Sequence, residues 1–76
     1  MSVDRAPPQE GKLGFLAQAA GQAFALQVCH SRAGFYIGTR DDEGLPFSRE
    51  SAEYWGTEGE AAAALAGGAW TQRREP

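Results

Sequence analysis

From Phe24 to Arg40 the sequence takes on a period of two, and this constrains the chain more than any other feature. Phe24, Leu26, Val28 and His30 alternate with Ala25, Gln27 and Cys29, as in a strand with one buried face. After the break SRAG, where Gly34 is free to adopt a positive φ, the run FYIGTR supplies a returning strand rich in aromatic and β-branched side chains. It puts Phe35, Ile37 and Thr39 on one face and Tyr36, Gly38 and Arg40 on the other. Together the two runs predict a β-hairpin.

The next residues extend the hairpin into a sheet. DDEGLP breaks regular structure with acidic residues, Gly44 and Pro46, and FSRESAEYW reads as a third strand, polar in its first half and aromatic at its end. Its facing is ambiguous, because Ala52 and Tyr54 fall on one side and Ser51, Glu53 and Trp55 on the other.

The stretch WGTEGEAAAALAGGAW then carries both ends of a helix. Thr57 with Glu60 three residues on is a capping box, and Glu58 places negative charge near the helix N-terminus. Ala61, Ala62 and Leu65 form a narrow apolar stripe, and Gly67 and Gly68 stop the helix, one of them in a left-handed conformation. Alanines let such a helix approach a sheet closely, with Leu65, Trp55 and Trp70 supplying most of the buried area at about 25 cal/mol per Å². AWTQR leaves it as a short fourth strand or an extended tail anchored by Trp70.

The N-terminal third is weaker in signal. Residues 1–11, with Pro-Pro, charges and Gly, read as a mobile tail. Residues 12–23 read as a short helix or linker, where Leu13, Leu16, Ala20 and Phe24 make a rough stripe and Gly14 and Gly21 each oppose helix by about 1 kcal/mol. The expected fold is therefore α+β: a small antiparallel sheet of three to four strands with one covering helix, in the order β-β-β-α-(β). A single domain spans residues 24–73, and residues 74–76 are a tail.

Size and composition argue against catalysis. The chain has 76 residues, near the lower limit for a core without staples, and fourteen of its thirty-two apolar residues are alanine. One cysteine excludes an internal disulfide framework and points to a reducing, cytoplasmic setting. Phe15, Leu16 and Ala17 are followed at once by Gln18, too short a run for a secretory signal, and no stretch has membrane-spanning length. The net charge of −3, with seven scattered basic residues, biases against nucleic acid. Arg73 and Arg74 are the only adjacent basic pair.

Several residues carry chemistry that could in principle form a site. Cys29 and His30 are neighbours on a strand and point to opposite faces, so they do not form a nucleophile-base pair, and no second Cys or His completes a zinc set. Asp41, Asp42 and Glu43 lack the spaced ligands of a calcium loop and read as a solvated hairpin loop. Ser48, Arg49, Glu50, Ser51 and Glu53 offer no evident pocket for acid-base work, and Arg49 is expected to pair with a cross-strand acid such as Asp41. No catalytic residue, metal site or cofactor is expected. Tyr36, Arg40 and Tyr54 are expected on the sheet face opposite the helix, a composition that recognition surfaces use, and Arg49 is expected to join the interaction surface. Cover from the N-terminal segment or a second subunit is the alternative use of that face.

CHSRAGFYIGTRDDEG, SRESAEYW and GAWTQR, within residues 24–73, resemble segments of short uncharacterised proteobacterial proteins, which implies a bacterial protein but no activity. Three strands followed by YWGTEGEAAAAL are similar in topology to AP2-type DNA-binding domains and phage-integrase arm-binding domains. That resemblance implies a helix backing a sheet that contacts DNA, with Arg32, Tyr36, Arg40 and Arg49 at the matching strands. Here those residues stand among Asp41, Asp42, Glu43, Glu50 and Glu53, a departure from the basic pattern.

The sequence thus predicts a non-enzymatic interaction module that binds a protein partner or forms a homodimer through the sheet face or edge. Nucleic-acid binding by the same sheet is the alternative, disfavoured by acidic charge, and no membrane association is expected.

Overall fold

The expected hairpin forms in a computed structural model that describes residues 12–76, but its first strand starts at Gln27 rather than Phe24, and it buries Cys29 and leaves His30 exposed. β1 (Gln27–Ser31) and β2 (Gly34–Arg40) pair antiparallel, with Val28 opposite Ile37 and Cys29 opposite Tyr36. Gly34 makes the turn at φ 134°, which a side chain would resist. β3 (Pro46–Arg49) pairs antiparallel on the other side of β2, giving a sheet of order β1-β2-β3. The expected tail over residues 1–11 lies outside the described residues.

β3 is shorter than the expected strand over 47–55, and the reason lies in two side chains. The Ser51 hydroxyl accepts the Ile37 N–H at 3.0 Å, taking the place of a backbone carbonyl, and donates in turn to the Glu53 carbonyl. Glu50 and Ser51 N–H groups both go to the Ile37 carbonyl, so the regular ladder stops. It resumes for one residue at Trp55, which exchanges both backbone bonds with Phe35. A second irregularity sits earlier, where Thr39 faces Ser48 but Arg40 faces Pro46, leaving Phe47 as the extra residue of a β-bulge.

The helix over Glu58–Gly67 starts at the expected Thr57 and stops at the expected glycines, though of the capping box only the Thr57 half forms. Thr57 accepts the Glu60 N–H at 3.1 Å, and Gly68 closes the C-terminus at φ 73°. Its buried face is Ala61, Ala64 and Leu65, the i, i+3, i+4 set, with Ala62 only half-buried at its margin. Ala64 and Leu65 meet Leu26 and Ile37 in the core, and Val28, Trp55 and Trp70 pack around them. After the helix, residues 71–73 run beside 50–52 through Ala52 N–H to Thr71 O and Arg73 N–H to Glu50 O. This forms a single bridge, Ser51 to Gln72, in place of a full fourth strand.

The sequence predicts one covering helix; the described residues contain two. The first, α1 (Phe15–Ala19), realises the short helix expected within 12–23, and the helix after the sheet is therefore α2. Residues on either side of α1 are tied together by Gly14 N–H to Phe24 O and Leu26 N–H to Lys12 O. Five residues do not hold a helix alone. Its missing cap comes from across the fold: Glu50, fully buried, accepts the Leu16 N–H at 2.9 Å and the Ala17 N–H at 3.1 Å.

Glu50 reaches α1 from the face that carries Thr39 and Ser48, which alternation makes the same face as Ile37. Both helices therefore cover one side of the sheet. Tyr36, Gly38 and Arg40 lie on the other. No helix among the described residues is long and apolar enough to cross a membrane.

Candidate functional site

The face away from the helices gathers Tyr36, Arg40 and Tyr54, and Arg49 with them. Tyr36 and Tyr54 meet edge to face, their ring centroids 5.8 Å apart, and the Arg49 guanidinium lies over the Tyr54 ring at 4.8 Å. Arg40 stands near the Tyr36 and Cys29 side chains. The interruption of β3 after Arg49 is what brings Tyr54 back beside β2, because Trp55 pairs with Phe35 and places Tyr54 against Gly34.

The four residues do not contribute alike. Tyr36 is only 6% exposed and forms the floor of the cluster, lying over Gly38, whereas Tyr54 is 41% exposed at its surface. Arg40 and Arg49 are half-buried at its sides. Arg49 does not make the expected pair with Asp41. It donates to the Ser51 and Ala52 carbonyls, while Asp41 accepts the Glu43 and Leu45 N–H groups of its own loop at 2.9 and 3.0 Å.

Electrostatics keep the floor neutral. Burial pushes the Cys29 thiol up from its ordinary value, against the opposing influence of Arg40 and of hydrogen bonding with Tyr36, so the thiol holds its proton at neutral pH. Burial likewise raises the Tyr36 hydroxyl, and the neighbouring Cys29 adds to the shift. Such a thiol is a poor nucleophile. His30 points to the opposite face, as strand geometry requires, and stacks on Phe35 with centroids 4.0 Å apart.

A second feature has no counterpart in the sequence reading. The bulge at Phe47 turns its ring onto Phe24, 5.0 Å away and edge-on, and into a half-open groove of about 390 Å³ between α1, β3 and the C-terminal residues. Leu16, Ala20, Phe47 and Pro76 contribute its apolar lining and Arg73 and Arg74 its polar rim; Arg49 also borders it, but its guanidinium is turned to Tyr54. The Arg73-Arg74 pair is evident as a basic doublet in the sequence. Its meeting with Arg49 depends on the pairing of residues 71–73 with 50–52, which nothing local in the sequence announces.

The remaining polar cluster is structural. Glu50 also accepts from the Ser48 hydroxyl at 2.6 Å and from the Gln72 amide at 2.7 Å. Since Ser48 gives its proton to Glu50, Thr39 donates to Ser48 across their 2.6 Å contact. Desolvation pushes the Glu50 carboxyl up, but the bonds from Leu16, Ser48, Gln72 and Ala17 together hold it below its usual value. With four donors on its two oxygens and no exposure, this carboxylate is a cap rather than a reacting group.

Among the described residues no group of three His, Cys, Asp or Glu side chains is arranged to hold a metal ion. Comparison with family models, with curated proteins and with solved structures found no match.

Proposed function

We propose that the protein is a small non-enzymatic interaction module that binds a protein partner, or a second copy of itself, through the sheet face centred on Tyr54. The supporting observation is the Arg49–Tyr54–Tyr36 cluster on the side away from both helices, with Tyr54 exposed above a neutral floor. Rigid aromatic and arginine side chains give large contact area at little entropic cost, which is why they dominate binding hot spots. Tyr36, on the central strand, packs edge to face on Tyr54, and a sheet is a better platform than a loop.

The test is capture of a partner by the wild type and by the double variant Tyr54→Ala, Arg40→Ala, with folding followed by circular dichroism. Capture or dimerisation that survives in a folded double variant overturns the reading.

Nucleic-acid binding by the same face is the second reading, supported by the separation of both helices from Arg40, Arg49 and Tyr54 across the sheet, as in the AP2-like arrangement. It predicts an affinity for short DNA that falls steeply with salt, each neutralised phosphate contributing about 0.9 to the logarithmic slope for duplex. Absence of any DNA-induced change at about 50 mM salt removes it.

A further inference from the structure

We infer that the groove between α1, β3 and the C-terminal residues is a second binding site, and that its ligand is an acidic amphipathic segment of a partner protein. This goes beyond the sheet-face reading, since the two surfaces share only Arg49.

Charge is the first indication. The chain as a whole is acidic, at −3, yet Arg73 and Arg74 both line one groove, while the Arg49 guanidinium turns away from it to Tyr54. Their polar contacts among the described residues are with backbone and rings. Arg49 donates to Ser51 and Ala52 carbonyls, Arg73 donates to the Arg49 carbonyl at 3.1 Å, and Arg74 lies over the Phe15 ring at 5.2 Å. No carboxylate of the described residues forms an ion pair with any of the three. A groove lined by Arg73 and Arg74, neither of them in an ion pair with a carboxylate of the described residues, is complementary to an anionic ligand.

The floor decides which anion. Leu16, Ala20 and Phe47 line the groove, so a bare phosphate or a fully hydrated polyanion leaves its apolar surface wet. Phe47 is 40% exposed, and a bulge has turned it toward the groove instead of leaving it in register. Its volume of about 390 Å³ accepts a few apolar side chains rather than a large cofactor. A peptide that seats a leucine or phenylalanine on this floor, with aspartate or glutamate on either side, satisfies both halves. Guanidinium groups then engage carboxylates in the planar, two-point geometry that arginine favours.

Arg73 is held in place before binding, by its backbone bond to the Glu50 carbonyl and its side-chain bond to the Arg49 carbonyl. Preorganisation of this kind lowers the entropic cost of association.

The experiment is fluorescence anisotropy with the full chain. The probe is a short fluorescein-labelled peptide in which Leu and Phe are interspersed with Asp and Glu, measured beside an analogue carrying Asn and Gln instead. Binding that weakens about fivefold or more in Arg74→Glu, in the neutral analogue, and between about 50 and about 300 mM salt supports the site. A folded Phe47→Ala variant weakens it too, whereas Tyr54→Ala, on the other surface, leaves it unchanged. No binding at about 500 µM protein overturns the proposal, as does binding indifferent to Arg74→Glu. Displacement of the peptide by short single-stranded DNA at equal affinity, or Arg74-dependent dimerisation without peptide, assigns the groove to another occupant and also overturns it. Loss of peptide binding in Tyr54→Ala alone transfers the contact to the sheet face, which overturns the groove while leaving the sheet-face reading intact.

Discussion

Glu50 caps a helix that begins far earlier in the chain: its carboxylate takes the N–H of Leu16 at 2.9 Å, across 34 positions of sequence. Gly14, at the N-cap position of α1, has no side chain to do so. A five-residue helix is thereby fixed to the edge strand β3, and the groove beside it keeps its shape.

Replacing Glu50 by Gln turns one acceptor oxygen into a donor that faces other donors, so it should destabilise the fold by about 2–3 kcal/mol. Urea unfolding of wild type and variant measures this. A change within error of zero means that the cap contributes nothing.

The same carboxylate makes stability depend on acid. Its folded pKa is held below the unfolded one, as is that of Glu53, whose two oxygens accept the Thr71 N–H. The contribution is therefore complete above the unfolded value, about 4.3, and is lost as pH falls through the lowered folded value. The urea midpoint of the wild type should fall in that window, and that of Glu50→Gln should fall less.

Gly38 is required by contact rather than by conformation. A Cβ there would overlap the Ser48 carbonyl oxygen and approach the Tyr36 ring at 2.8 Å. Gly38→Ala should cost about 1–3 kcal/mol through overpacking and displace Tyr36, with it the support under Tyr54. Thermal denaturation reads the first effect, and the ring-proton shifts of Tyr54 the second.

Thr57→Ala removes the single side-chain cap of α2 and should cost about 1 kcal/mol. Because the Thr57 hydroxyl bonds only α2, on the other side of the sheet from the tyrosine cluster, its loss lowers the melting temperature and leaves binding at that face unchanged.

The parts of the fold that can be read from the sequence are those set by local forces. The hairpin register, the opposite facing of Cys29 and His30, and both ends of α2 are set by alternation, a turn glycine and capping residues within a few positions of one another. The early end of β3 is not legible in this way, because it depends on the Ser51 hydroxyl replacing a backbone acceptor for Ile37. Neither is the role of Glu50, which reads as one polar residue among several until the fold places α1 and Gln72 against it. Of the four residues expected at the surface, Tyr36 is the floor; a glycine at 38, over which its ring lies, is the one sequence sign of that. The expected Arg49–Asp41 pairing does not form because a short loop satisfies Asp41 first.

Binding through the Tyr54 face is best tested by an assigned heteronuclear NMR spectrum of the labelled protein, recorded on dilution and on titration with partner fractions and with short DNA. Shifts or broadening should concentrate at Arg40, Arg49 and Tyr54, caused by a protein fraction or by the protein's own concentration. Changes confined to residues remote from that face, or a face that stays silent under every condition, would contradict the proposed role.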